Sequence, residues 1–274
     1  MLINDQNTLQ KFLPNQVVTV DGELTLFDKV QNQLALTEEW AQQYVTGEQL
    51  YEKISADKNS TAWHQLASLV ANRALVQALP ALDLILTPNG FGVVNNANVV
   101  PASRDRVDRL LASLLAARDR ALDFLLDSLC TMPDWQDSTG YNWWTGCFVQ
   151  RLSQVAEVVP DSKDLYEDYL KLRLRAVYIE AELEAKFFGP LMPRWRRALA
   201  TKKNDYDADL AESVQAEVIA LLKGEQTHIN MLRDIVQYVR TNPDKFPEWQ
   251  SSKLAKQWSP EIFNNQKKSK GFWF

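Results

Sequence analysis

Apolar residues recur at steps of three and four positions along most of this sequence, a spacing that brings them to one face of an α-helix. The clearest runs cover residues 61–79, 104–129, 161–187 and 207–240. Hydrophobic residues make up 46% of the 274 residues, which is enough to bury a substantial core. The sequence therefore predicts an all-α protein whose helices pack on one another through these apolar faces.

The least helical stretch lies between Leu82 and Pro101. Two pairs of valines flank the step Asn95–Asn96, and asparagine tolerates the positive φ that a tight hairpin turn requires. The sequence predicts a small β-hairpin near residues 84–100, followed by a long helix capped by Ser103.

A second irregular segment, residues 131–146, is rich in aromatic residues and marks the candidate boundary between two packed helical subdomains. The predicted division is an N-terminal subdomain with the hairpin (1–135), a C-terminal helical subdomain (136–250) and a basic, aromatic C-terminal tail (251–274).

Two long runs dominate the second half. Asp161 opens the first, and its apolar residues fall into a main stripe and a second set that widens the apolar arc: Leu165, Tyr169, Leu172, Ala176, Ile179, Leu183 and Phe187, then Tyr166, Leu170, Leu174, Val177 and Tyr178. A helix apolar on two sides is expected to be buried between neighbours. The second run continues from Asp207 to Arg240 through Gly224, at a cost of about 1 kcal/mol that a packed helix can absorb.

Few residues suggest catalysis. Glu225 and His228 have the Glu-x-x-His spacing of a di-iron helix bundle, but such a site needs a second copy of the motif and two more glutamates. A helical Glu–His contact is therefore favoured.

Glu180 and Glu184 lie one turn apart, and a solvated pair neutralised by nearby basic residues is favoured over acid–base catalysis. We expect no enzyme, no metal and no cofactor. A helical-bundle enzyme with an unrecognised carboxylate and histidine site is the alternative.

Composition limits the partners and the location. The net charge of −5 argues against a general nucleic-acid coat, which requires a basic surface. Cys130 and Cys147 are expected to be free, buried thiols in a reducing compartment. The sequence shows no basic and apolar leader and no apolar run long enough for a bilayer. We therefore expect no membrane association, and a cytosolic protein or a particle assembled there.

Residues 193–203 form a basic segment that could contact DNA phosphates or an acidic partner, through Arg194, Arg196, Arg197, Lys202 and Lys203. A solvated helix end, with cations near the negative pole of the helix dipole, is the favoured interpretation. Nucleic-acid binding stays possible but not favoured, and a DNA-packaging accessory protein is a further alternative.

The C-terminal tail carries lysines followed by three consecutive aromatic residues: Lys267, Lys268, Lys270, Phe272, Trp273 and Phe274. Exposed aromatics at a chain end would favour aggregation, so they are expected to be buried. They either fold back onto their own domain or dock into a neighbouring subunit as an extended arm, for which the lysines would provide reach and charge steering.

The segment from Gly90 to Val107, which reads GFGVVNNANVVPASRDRV, resembles a motif of an uncharacterised family encoded in phages and prophages. The resemblance covers about residues 48–110 best and transfers no catalytic residue. It implies a virion structural or assembly protein near the head–tail junction, where helical adaptor proteins form rings. Such a protein would associate with itself and with other virion proteins, first in the bacterial cytoplasm and then in the virion.

Overall fold

The computed structural model describes residues 1–13, 22, 24–87, 90–93, 103–201 and 206–258. Thirteen α-helices lie within these residues, so the predicted all-α class is confirmed. Their bounds are α1 Gln6–Phe12, α2 Leu26–Ala41, α3 Glu48–Ala56, α4 Thr61–Asp83, α5 Arg104–Leu129, α6 Thr139–Trp144, α7 Leu152–Val158, α8 Leu165–Leu183, α9 Leu191–Thr201, α10 Tyr206–Leu222, α11 Ile229–Thr241, α12 Pro247–Gln250 and α13 Lys253–Trp258.

The N-terminal half is built around α4, which packs against α2 and α5. The sequence predicts two helices between Thr25 and Thr46, but they form one continuous element. Thr25 caps α2 in a capping box with Asp28, and a π-helical turn, Gln42–Thr46, extends it to Gly47. Gly47 then ends the helix with a φ of 78°, which glycine adopts without a steric penalty.

The predicted hairpin range contains one short antiparallel pair among the described residues, β1 Leu84–Thr87 and β2 Gly90–Val93. Leu84 is paired with Val93, and Thr87 with Gly90. The step Asn95–Asn96, at which the sequence predicts the turn, lies outside the described residues.

The aromatic segment between the predicted subdomains packs tightly on the π-helical turn after α2. The indole nitrogens of Trp135 and Trp144 donate to the carbonyl oxygens of Val45 (2.8 Å) and Tyr44 (2.9 Å). The buried apolar side chains form one contiguous cluster that extends from Leu2 to Ala255. The predicted boundary is thus a packed junction, as its aromatic content suggests.

Two boundaries in the second half differ from the prediction. Asp161 does not open α8, because Asp164 caps it, accepting hydrogen bonds from the backbone N–H groups of Tyr166 and Glu167. The run from Asp207 to Arg240 is not one helix. It breaks at Gly224, whose φ of 84° lies in the left-handed region, and α11 resumes at Ile229. The helical spacing of apolar residues continues from α10 across the Gly224 turn into α11, because both helices pack against the same core.

Candidate interaction surface

Helix α8 has one buried face and one exposed face. Its buried residues are Tyr166, Tyr169, Leu172, Ala176, Glu180 and Leu183. On the opposite side, Leu174 is 67% exposed, Val177 46% and Tyr178 77%. These side chains follow one another at steps of three and one, with half-buried Leu170 one turn before them and exposed Ala181 one turn after. The prediction that α8 is buried on both sides is therefore wrong.

We call this set, Leu170, Leu174, Val177, Tyr178 and Ala181, the α8 stripe. Single exposed apolar residues are common on soluble proteins and require no explanation. A continuous row along almost three turns of one helix is different, because it is the pattern by which one helix packs against another.

The N-terminal end of α8 is anchored by a buried ion-pair cluster. The Arg118 side chain on α5 donates to both carboxylate oxygens of Asp164, at 2.7 and 3.2 Å, and also to Asp119. Burial raises the pKa of Asp119 to about 6, against the opposing effect of Arg118. The same guanidinium helps to hold the pKa of Asp164 below its usual value. Asp164, which caps the start of α8, therefore also links α8 to α5.

The other end of α8 is anchored by Glu180. This carboxylate is fully buried and accepts two hydrogen bonds of 2.7 Å, from the backbone N–H of Phe148 and from Arg196 Nε on α9. Burial raises its pKa, and the Arg196 guanidinium opposes the rise. The prediction that Glu180 and Glu184 form a solvated pair is wrong for Glu180, because only tertiary packing brings Phe148 and Arg196 to it.

A π-helical turn, Glu184–Phe188, continues α8 to Gly189 and is held by two tryptophans. The indole nitrogen of Trp249 donates to the Phe187 carbonyl (3.0 Å), and that of Trp258 to the Lys186 carbonyl (3.1 Å). With both ends and this turn fixed to neighbouring elements, α8 presents its stripe on a rigid support.

The Glu-x-x-His pair does not lie on a helix. Residues 225–228 form the connection between α10 and α11, and the His228 ring pairs with buried Glu217 at 2.8 Å. The favoured helical contact between Glu225 and His228 is therefore wrong. Glu180 binds Arg196 and does not join Glu225 and His228 in one site. In the described part of the chain, no three His, Cys, Asp or Glu side chains are grouped so that they could hold a metal ion.

The basic segment is only partly exposed. Arg194 donates to Asp207 and Glu248, and Arg196 to Glu180, so two of the three arginines hold helices together instead of facing solvent. Arg197 is exposed, and Lys202 and Lys203 lie outside the described residues. The interpretation of this segment as a solvated helix end is thus wrong for Arg194 and Arg196.

The described residues do not include those of the C-terminal tail, Lys267, Lys268, Lys270, Phe272, Trp273 and Phe274.

Cys147 is buried, whereas Cys130 is partly exposed and its sulfur accepts a hydrogen bond from Arg151 at 3.2 Å. No described helix is both long enough and apolar enough to span a membrane.

These features define an all-α protein with an open apolar helix face. A family model described as "Family of unknown function (DUF6712)" matches residues 22–144 and 197–257, more than half of the chain, so the chain belongs to that family. The stripe lies between the two matched ranges. No curated protein and no solved structure matches the chain significantly.

Proposed function

We propose that this protein is a structural or assembly component of a phage or prophage particle and that it acts by binding other protein chains. The observation that carries the proposal is the α8 stripe, an apolar helix face held rigidly at both ends and left open among the described residues. Such a face is suited to binding a protein surface, since it offers apolar area along almost three turns of a fixed helix.

The ionisable groups support the same proposal. The buried acidic residues Glu38, Asp119, Glu180, Asp207 and Glu217 each accept hydrogen bonds from a partner within the chain. Apart from Asp119, whose partner Arg118 is its neighbour in α5, each of these carboxylates accepts from a group of another element and so joins two parts of the fold.

The phage origin rests on the resemblance of residues 90–107 to a phage and prophage motif, and a place near the head–tail junction is the finer form of the proposal. Helical adaptor proteins at that junction form rings, in which each subunit contacts its two neighbours through two different faces, so a twofold pairing of subunits would be a separate contact. The protein would be made in the bacterial cytoplasm and then incorporated into the virion.

Deleting the gene from the phage or prophage that encodes this chain tests the proposal. We expect particles purified from the parent strain to contain the protein at a fixed ratio to the capsid protein, as measured by quantitative mass spectrometry. We expect the deletion strain to yield incomplete particles by electron microscopy, and a plasmid copy of the gene to restore them. Complete particles in normal numbers from the deletion strain, together with absence of the protein from parental particles, would refute the proposal.

The C-terminal tail provides a second test. We expect removal of residues 271–274 to leave the far-ultraviolet circular dichroism spectrum unchanged but to reduce particle assembly, because the chain would lose three large apolar side chains that can bury surface in a neighbour. Replacing Lys267, Lys268 and Lys270 by alanine, with the aromatics retained, separates the contribution of charge from that of apolar contact. Unchanged particle assembly after the deletion would count against the docking arm.

A further inference from the structure

We propose that the α8 stripe binds the α8 stripe of a second copy of this chain, as an antiparallel helix pair about a twofold axis. The inference rests on the proposed function, because it names one partner through which an assembly protein would act. It is argued from the distribution of apolar and charged side chains along α8.

The charged residues on one edge of the stripe identify the partner. Lys171, Arg175, Tyr178 and Glu182 follow each other at steps of four, three and four, so they lie along the same side of the helix. The first and last of these, Lys171 and Glu182, are exposed and carry opposite charges. A surface with a positive residue near one end and a negative residue near the other complements itself when one copy is reversed.

The register follows from these positions. When two copies of α8 are antiparallel and centred between Ala176 and Val177, Lys171 of each copy lies opposite Glu182 of the other. Exposed Glu167 then lies opposite Lys186, and Tyr178 opposite Arg175, a pairing that allows a cation–π contact. In a parallel pair this edge of one helix would instead lie on the side of the interface away from the same edge of the other, so Lys171 and Glu182 could not meet.

The apolar residues fit the same register to within two residues. Leu174 of one copy lies near Val177 of the other, and Leu170 lies near Ala181. Small Ala181 allows the helices to approach closely at both ends of the stripe, while the larger side chains interdigitate near the centre. Apolar and charged positions therefore indicate the same partner and the same orientation.

In the monomer, Lys171 forms an ion pair with Asp168 (2.9 Å) and Glu182 with Lys186 (2.5 Å). Lys171, Glu182 and Lys186 are each more than half exposed, and only Asp168 is less so. Because an exposed ion pair contributes at most about 1 kcal/mol, these two pairs can be exchanged for ion pairs between the two copies. A face of five residues buries less surface area than the roughly 800 Å² that each partner buries in a stable interface. We therefore expect a weak dimer, with a dissociation constant on the order of 10 to 100 μM.

Sedimentation equilibrium of the purified full-length chain, over a concentration range that spans the expected dissociation constant, tests the pairing. We expect reversible dimers, and we expect Leu174→Glu to raise the dissociation constant about 100-fold or more, because each dimer loses two buried leucines and gains two buried charges. Leu36→Glu is the matched control, since Leu36 is also an exposed helical leucine, at 61%. It should leave the dissociation constant unchanged.

A charge-swap cycle tests the antiparallel register. Lys171→Glu and Glu182→Lys should each weaken the dimer about 10-fold, because each creates two like-charge contacts. The double variant should restore the wild-type dissociation constant to within about threefold. Within one chain these two residues are about 16 Å apart along the helix axis, too far to contact each other, so restoration can only come from a contact between copies. Lys53→Glu is the matched control, since Lys53 has the same exposure as Lys171 and also pairs with an aspartate.

The pairing is overturned if the chain is monomeric throughout the concentration range, if Leu174→Glu and Leu36→Glu have equal effects, or if the double swap does not restore the dimer. A monomer in which Leu174→Glu lowers the thermal midpoint would show that another segment of the same copy covers the stripe, and this also overturns the pairing. The particle experiments under Proposed function do not depend on these outcomes. A protein found in virions but monomeric in solution would refute the pairing alone.

Discussion

At the residue scale, Gly140 is required by the close approach of α6 to the π-helical turn after α2. A Cβ atom at this position would overlap the backbone carbonyl of Val45, and backbone cannot give way as a flexible side-chain end can. The approach is fixed from both sides, since Trp135 and Trp144 donate to carbonyl oxygens of the same turn. Glycine is therefore needed here for space.

We expect Gly140→Ala to lower the free energy of unfolding by about 3 kcal/mol or more, because the added methyl group must displace the turn. Thr139→Ala is the neighbouring control. It removes one hydrogen bond to the Gln43 carbonyl (2.9 Å) and should cost about 1 kcal/mol. Urea denaturation measures both values, and equal effects of the two substitutions would contradict the steric account.

Asp119 predicts a pH dependence of stability. Burial raises its pKa to about 6 in the folded chain, above the value of 3.8 for a solvated aspartate. The folded state therefore binds this proton more tightly, and the stabilisation is complete below pH 4 and is lost as the pH rises through 6. We expect wild type to gain about 2 kcal/mol relative to Asp119→Asn between pH 7 and pH 4.5, from urea denaturation at both values. Parallel pH profiles of the two proteins would rule this out.

At the element scale, the effect of replacing Gly224 distinguishes a helix that continues from α10 into α11 from one that ends at this glycine. A helix that ran through Gly224 would be stabilised by about 1 kcal/mol when glycine is replaced by alanine. In the structure Gly224 has a φ of 84° and ends the helix, and its N–H donates to the Leu221 carbonyl (3.0 Å).

We therefore expect Gly224→Ala to destabilise the protein by about 1 kcal/mol, since alanine is strained in the left-handed region. Within the described part of the chain, no atom beyond its two chain neighbours lies within 4 Å of the added Cβ, so the effect isolates the backbone conformation from packing. Thermal denaturation followed by circular dichroism gives the sign, and an increase in stability would indicate a continuous helix.

Helix α8 shows how an apolar pattern can be misassigned at this scale. Its sequence has apolar residues around most of its circumference, which is typical of a buried helix. Only the positions of α5, α7, α9 and α10 decide which side is covered, and these depend on long-range contacts such as Arg118–Asp164 and Arg196–Glu180.

At the scale of the whole molecule, the two predicted subdomains share one contiguous apolar cluster. The hydrogen bond from Trp144 to the Tyr44 carbonyl crosses between them, as does the ion pair of Arg118 with Asp164. A chain joined in this way is expected to unfold as a unit instead of in two steps.

We expect a single thermal transition by differential scanning calorimetry, with equal calorimetric and van't Hoff enthalpies. Trp144→Phe should lower the midpoint of the whole transition, because it leaves the partly buried Tyr44 carbonyl without its indole donor. Two resolved transitions, of which Trp144→Phe shifts only one, would show that the subdomains unfold independently.

The sequence by itself determined the helical class and most helix positions, because these depend on local spacing. It also placed Ser103 directly before α5, although the Ser103 side chain makes no capping hydrogen bond there. Tertiary structure alone decided which apolar face of α8 stays open, why Glu180 is buried and that Arg194 and Arg196 are engaged. The physical reason is distance along the chain. Glu180 meets Phe148 from 32 residues away, and Arg118 meets Asp164 across 46 residues, so burial and pairing there depend on how helices pack and not on local sequence.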